Sequence, residues 1–361
     1  SLALQGGGAH GAYTWGVLDR LLEEGVALEG ISGTSAGAMN AVALAQGWTT
    51  GGAEGARESL SAFWEAVADT TPFELDLLHS LNPAGDGSLP AAVNMMLGIT
   101  RLFSPYQLNP FELNPLRDVV RAQFDFERIR RECPLKLFIA ATQVRTGKVR
   151  LFHTAELSED ALLASACLPT LHHAVEIDGE AYWDGGFTAN PAIYPLMYEC
   201  STPDILLILL NPLVRPTAPR SAEDIAARSV ELGFSTTFLR EMRMIAHARR
   251  QIGEGRGWLP LGHFERKLTG LRFHLIEAEE LLAAARRYAA TDTGMPVELE
   301  GVLRAQVEAN RGREPRGELR IRGFEGVDPR AKGLRFLLRS SQCDRHRGTG
   351  QRARRSGLEC T

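Results

Sequence analysis

The sequence predicts an α/β protein with a mainly parallel central sheet, followed by a mainly helical segment. Three observations predict it. The first 46 residues read as strand, glycine turn, helix, strand, glycine turn, helix. That order implies parallel strands joined by right-handed crossovers. Two later runs, Leu135 to Thr142 and Asp204 to Leu210, are almost entirely apolar, as strands covered on both faces are. From Ser221 the apolar spacing changes to a helical period, through Ile225, Phe234, Phe238, Met242 and Ile245.

The elements follow in order. Leu2-Ala3-Leu4 is a short strand that stops at Gly6-Gly7-Gly8. From Gly11 to Glu24, Trp15, Leu18, Leu21 and Leu22 share one helix face, with Asp19, Arg20, Glu23 and Glu24 opposite; Gly25 ends the helix. Ala27 to Ile31 reads as the second strand, and Ala36 to about Gln46 as a helix of small residues. Residues 71–115 hold six of the 18 prolines, with Asn-Pro turns at 82, 109 and 114. This marks an insertion. Its apolar stretch, Ala91 to Phe103, predicts one short helix, either a lid over a cleft or a core helix. After Leu135 to Thr142, Thr146-Gly147 turns the chain into Lys148 to His153. Ser158 to Cys167 is a helix stopped before Pro169, and Ala174 to Trp183 is a hairpin around Asp178-Gly179. The hairpin runs into Asp184-Gly185-Gly186. Asn190-Pro191 is expected to open a helix as cap and first residue, and Asp204 to Leu210 to close the sheet at Asn211-Pro212. Pro212, Pro216 and Pro219 place a boundary near 213–220, and Ser221 starts a helix. Leu271 to Ile276 is a further candidate strand, and Glu277 to Tyr288 a candidate helix.

Composition and charge exclude several classes. With 44% hydrophobic and 23% charged residues the chain is a folded protein. No apolar run approaches the roughly 18 residues of a membrane span. Ser1 is not a natural start, so an upstream piece is expected to be missing. The five cysteines, Cys133, Cys167, Cys200, Cys343 and Cys360, lack zinc spacing and read as free thiols of a reducing compartment. The expected location is therefore cytoplasmic, with peripheral contact on the inner membrane surface. Residues 311–361 hold 14 Lys and Arg against 6 Asp and Glu, a charge of +8, and the rest of the chain carries −12. An acidic body of this kind argues against nucleic acid as a partner. The basic tail reads as a loose, disordered end or as out-of-frame sequence; contact with anionic lipid is the alternative.

Three glycine-containing motifs carry the chemistry. Gly33-Thr34-Ser35-Ala36-Gly37 lies between a strand and a helix. Its glycines permit a sharp turn that lifts the serine hydroxyl into a cleft, with a helix N-terminus behind it. Taken as structure alone, Ser35 caps a helix. Gly6-Gly7-Gly8-Ala9-His10-Gly11 reads as a dinucleotide fingerprint or as an oxyanion hole. The first reading needs an acid at the end of the second strand, and Glu29 stands at its beginning. Asp184-Gly185-Gly186 offers a carboxylate as base for Ser35, or else a hairpin turn. A histidine base remains open: Ser35, Asp184 and His247 or His274 would match the order of an α/β-hydrolase triad. Ser35 comes earlier in the chain than that fold requires. His172-His173 reads as a loop pair, and no metal site is expected.

The combination Gly6-Gly7-Gly8-x-x-Gly11, Gly33-x-Ser35-x-Gly37 and Asp184-Gly185-Gly186 resembles the bacterial branch of the patatin-like phospholipase family, over about residues 2–212. Leu102 to Asn114 and the helix after Ser221 resemble a subgroup with a C-terminal extension. The resemblance implies a three-layer α/β/α fold and hydrolysis of lipid acyl esters by a Ser–Asp dyad, with no metal or other cofactor. On the matching positions it makes Ser35 the nucleophile and Asp184 the base. Gly6, Gly7 and Gly8 form the oxyanion hole, with the N–H groups of Gly7 and Gly8 as donors. Gly11, Gly33, Gly37, Gly185 and Gly186 support the motifs, and His10 stands where the family often has Arg or Lys. The implied organisation is a catalytic domain over 1–215 containing the 71–115 insertion, a helical extension over 216–310, and a basic tail over 311–361. The implied partner is a lipid or other ester substrate. Two further readings stay open: an intracellular polyester (polyhydroxyalkanoate) depolymerase, and a non-catalytic lipid-binding scaffold.

Overall fold

A computed structural model describes residues 1–70, 104–211, 213, 215, 217–254, 262–277 and 322–323. The strands are β1 (Leu2–Leu4), β2 (Gly30–Thr34), β3 (Lys136–Gln143), β4 (Val149–His153), β5 (Val175–Ile177), β6 (Glu180–Asp184), β7 (Asp204–Leu209), β8 (Arg272–Glu277) and β9 (Arg322–Gly323). They form one sheet in the order β5-β6-β3-β2-β1-β7-β8-β9, with β4 also paired to β3. β3, β2, β1, β7 and β8 are mutually parallel; the pairings of β4, β5, β6 and β9 are antiparallel.

Alternate residues of the central strands enter two separate cores. Leu2, Leu4, Ile31, Leu137, Ile139, Leu206 and Ile208 face one layer of helices. This layer contains α1 (Gly11–Glu23) and α2 (Ala36–Thr70, bent at Gly51–Gly52). Beyond α3 (Pro105–Leu108) it also contains α4 (Pro115–Gln123), α5 (Phe126–Glu132) and α6 (Glu159–Ser165). Ala3, Phe138, Ile205, Leu207 and Leu209 face the other layer. That layer is built from α7 (Tyr194–Glu199), α8 (Ala222–Glu254) and α9 (His263–Gly270). The result is the expected three-layer α/β/α arrangement.

Four details differ from the sequence reading. The second strand runs over Gly30–Thr34 rather than Ala27 to Ile31, and all five of its residues are buried. Pairing on both sides, Ile31 with Leu2 and with Leu137, overrides the poor strand propensity of its glycines. The helix after Ser35 does not end near Gln46: Gly51–Gly52 is a kink, and Ala56, Leu60, Phe63 and Trp64 pack its second half into the core. Asn190-Pro191 does not start a helix; α7 begins at Tyr194, because the Asn190 side chain is engaged elsewhere. The sheet continues past β7, since β8 pairs with it in parallel from Asp204–Arg272 to Leu209–Glu277. The Ala91 to Phe103 helix, residues 278–288 of the last candidate helix, and the basic tail apart from Arg322–Gly323 lie outside the described residues.

α8 is anchored to the sheet by Phe238, which is fully buried. Phe238→Ala should cost about 3–5 kcal/mol. Urea denaturation followed by circular dichroism and by tryptophan fluorescence should show one coincident transition at lower denaturant. Two separated transitions would mean that α8 and its neighbours unfold apart from the sheet.

Candidate active site

One edge of β3 brings the candidate residues together. β2 occupies it from Lys136 to Ala140, with Thr34 opposite Ala140. β4 pairs with the overlapping stretch 138–142 and therefore lies on the other edge. β6 pairs with Ala141 to Gln143 antiparallel, with Asp184 opposite Ala141. Because β4 also pairs at Ala141 and Thr142, β6 must share the edge of β2. The two strands thus meet end to end on adjacent rows, and the residues leaving them are Ser35 and Asp184.

Ser35 has φ +53, the left-handed region that side-chain-bearing residues rarely adopt. It is partly exposed, whereas Gly30 to Thr34 before it and Ala36 to Ala45 after it are buried. Its backbone N–H donates to the Ser165 hydroxyl at 3.0 Å. Its carbonyl accepts from Met39 N–H at 3.0 Å in the first turn of α2. The Thr34 hydroxyl donates to the Ala189 carbonyl at 2.7 Å. The flanking glycines are spatial requirements. A Cβ on Gly37 would lie 2.2 Å from the Leu4 carbonyl oxygen, and one on Gly33 2.6 Å from the Gly37 carbonyl oxygen. Gly11 packs similarly, where a Cβ would come 2.6 Å from that of Ala36.

Asp184 is 2% exposed. Its N–H donates to the Cys167 carbonyl at 2.8 Å, and its own carbonyl accepts from the Thr142 hydroxyl at 2.8 Å. Burial pushes its carboxyl up to about 6, partly offset by the Gly186 N–H and by a side-chain hydrogen bond from Ser35. The Gly186 N–H donates to Asp184 Oδ1 at 2.7 Å. Gly185 lets this turn press against β3, where a Cβ would sit 2.2 Å from the Ala140 carbonyl oxygen; Gly186 lies under the Phe234 ring.

The glycine loop after β1 completes the group. A Cβ on Gly6 would lie 2.7 Å from the Ser35 Cβ. The Gly6 N–H is already donated to Asn190 Oδ1 at 2.7 Å. Of the three glycines expected to form the oxyanion hole, Gly6 therefore has its N–H engaged. Gly7 is half-buried and Gly8 exposed, and their N–H groups have no partner among the described residues. Asn190 and Ser165 were not singled out by the sequence. Asn190 reads as a helix cap before proline, and Ser165 as one small residue in an apolar helix; only their burial, 2% and 0%, marks them.

His274, His173 and Glu29 are engaged elsewhere. Among the described residues no histidine is hydrogen-bonded to Ser35 or Asp184. His274 Nε2 lies 2.9 Å from Asp204 Oδ1, at the opposite end of the sheet. His173 stacks on Tyr106 at 4.1 Å and contacts the Pro105 carbonyl. The Glu29 carboxylate accepts from the Ser201 and Thr202 N–H groups and from Lys136, which hold it down to about 2. It is not available to a ribose beside the glycine loop. No cluster of metal-ligating side chains occurs among the described residues, and no described helix is long and apolar enough to cross a membrane.

The model of the patatin-like phospholipase family matches residues 2–197, more than half of the chain, and the chain belongs to that family. No curated protein matches the chain. Among solved structures, VipD from Legionella pneumophila matches with a TM-score of 0.35 and 15% identity, over 86% of this chain and 66% of that one. The chain thus spans just under two thirds of VipD's length. Family membership supports lipid acyl hydrolase activity in general.

The raised carboxyl has a consequence for stability. Its folded value of about 6 lies above the ordinary 3.8, so its contribution is full below 3.8 and is lost as pH rises through 6. At pH 7 the ionised, buried Asp184 destabilises the fold. Asp184→Asn keeps an acceptor for Gly186 N–H and should stabilise the protein at pH 7 by up to about 3 kcal/mol. Below pH 4 the gain should vanish. Denaturant melts at the two pH values check this, and a variant less stable than the parent at pH 7 contradicts it.

Proposed function

We propose that the chain hydrolyses lipid acyl esters with Ser35 as nucleophile and Asp184 as the direct base. The observation that carries this reading is the end-to-end meeting of β2 and β6. It sets a serine at φ +53 beside a buried carboxyl raised to about 6, with no histidine bonded to either among the described residues. Ionised Asp184 takes the Ser35 proton as Oγ bonds to the ester carbonyl carbon. The carbonyl oxygen becomes an oxyanion facing the free N–H groups of Gly7 and Gly8, with the positive end of α2 behind Ser35. Collapse of this intermediate breaks the ester C–O bond, and Asp184 returns its proton to the departing alcohol. Water then gives a proton to Asp184 as it attacks the acyl-serine. The fatty acid leaves, and the proton returns to Ser35. The raised carboxyl suits both halves: an acid near 6 is ionised at neutral pH yet basic enough to accept a proton. Esters of this class lie in aggregates, so the reading includes peripheral contact with a lipid surface.

Three measurements test the dyad. Ser35→Ala and Asp184→Asn should each reduce kcat on p-nitrophenyl butyrate by about 10³-fold or more, and a fluorophosphonate should label Ser35. Single substitutions of His10, His172, His173, His247 and His274 should each cost far less. The rate should rise with pH through about 6, as Asp184 ionises. A histidine whose loss equals that of Ser35 would replace the dyad by a triad.

A further inference from the structure

Asn190 belongs to none of the three glycine motifs, yet it touches one of them and lies next to a residue that touches another. It is a neutral polar side chain, 2% exposed, whose Oδ1 accepts the Gly6 N–H at 2.7 Å across 184 residues of sequence. Gly6 fits between Asn190 and Ser35. A Cβ there would lie 3.2 Å from Asn190 Oδ1 and 2.7 Å from the Ser35 Cβ. The neighbouring residue, Ala189, accepts the Thr34 hydroxyl at 2.7 Å, so the segment that follows Asp184 is fixed to the β2 end as well.

The other flank of the loop is also held. The Gly7 carbonyl accepts from His10 N–H at 3.3 Å, and His10 Nδ1 lies 3.2 Å from it. In a trans peptide the C=O and the following N–H point in opposite directions. Turning the Gly7 carbonyl toward His10 therefore turns the Gly8 N–H away from His10. Gly7 itself has φ 174, an extended value, and Gly8 has φ +58. No regular secondary structure sets the orientation of the Gly6–Gly7 peptide, so it depends on what anchors Gly6.

We infer that Asn190 is a positioning residue for the oxyanion-binding loop: its carboxamide takes the Gly6 N–H out of the donor set and thereby aims the N–H groups of Gly7 and Gly8 at the substrate oxygen. The inference rests on the hydrolase reading above. Its weight falls on the transition state, because the oxyanion is present there and not in the bound ester.

The test compares wild type with Asn190→Ala and with the milder Asn190→Ser. Each is assayed on p-nitrophenyl butyrate and for inhibition by an alkyl trifluoromethyl ketone, which forms a serine-bound oxyanion. Both variants should lose kcat by roughly tenfold to a hundredfold, with KM within about twofold of wild type. Affinity for the ketone should fall by the same factor as kcat/KM. A raised KM at unchanged kcat would overturn the inference. So would a loss of kcat without loss of ketone affinity, or wild-type activity in both variants. If Asn190→Ala does not fold, Asn190→Ser decides by the same readouts; failure of both to fold would assign Asn190 to folding alone. Ser35→Ala, run in parallel, separates the two levels. If it keeps full activity, the hydrolase reading and this inference fall together. If it is inactive while the Asn190 variants are unimpaired, only the inference falls.

Discussion

The structure turns on a single edge of β3, shared between two strands that arrive from opposite directions. β2 runs up this edge parallel to β3 and ends at Thr34 opposite Ala140; β6 comes down it antiparallel and ends at Asp184 opposite Ala141. Ordinary sheet pairing would leave a gap or a bulge at such a junction. Here the chain turns sharply out of both strands, and the turns crowd against their neighbours. Gly37 lies on the Leu4 carbonyl, Gly185 on the Ala140 carbonyl, and Gly6 against Ser35. Gly6, Gly33, Gly37 and Gly185 thus have a common cause: each stands where two backbones approach more closely than a Cβ allows. Gly7, Gly11 and Gly186 lie instead against side chains, and Gly8 has open space around it and φ +58.

The same junction sets the electrostatics. Asp184, at the end of β6, is covered by its surroundings, and burial raises its carboxyl to about 6. A salt bridge would lower it again, but Asp184 forms none among the described residues; its compensation comes from the neutral Gly186 N–H and the Ser35 side chain. Contrast Glu29 at the other end of the sheet, which has two backbone N–H donors and Lys136 and is held near 2. The two acids differ in surroundings, and those surroundings assign one to structure and make the other fit for proton transfer. The proposed reaction therefore uses a group that costs stability where it stands, as functional groups often do.

Most of this was legible in the sequence where local signals and long-range structure agree. The βαβα order of the start, the strand over Lys136–Gln143 and the Asp178-Gly179 hairpin appear as expected. The misreadings share one physical origin, namely pairing and packing between distant segments. Glycine at 30 and 33 argues against a strand until Leu2, Leu4 and the residues of β3 lie on either side. Asn190 before a proline has the signature of a helix cap, and only the approach of Gly6 gives its carboxamide another partner. The helix from Ala36 reads as ending near Gln46 because a sequence does not show that Phe63 and Trp64, beyond the Gly51–Gly52 kink, return to the same core. Nor does it show that β8 finds β7, two strands separated by the whole of α8 and α9.

The region after the family match also takes part in building the site. The match ends at residue 197, within α7. Yet the Phe234 ring of α8 covers Gly186 and lies 5.0 Å from the ring of Phe187, directly after Asp184-Gly185. About two turns further along the same helix, the Glu241 carboxylate accepts the N–H groups of Ile193 and Tyr194 at the start of α7. A carboxylate in that position satisfies helix donors that would otherwise be unpaired. The segment between these two contacts contains Ala189 and Asn190, the residues that hold the β2 end and Gly6. α8 therefore clamps both ends of the stretch that bonds to Thr34 and Gly6. A helix lying beyond the family match thus supports the geometry within it, and the chain cannot be cut at the end of that match without freeing the segment from 186 to 194.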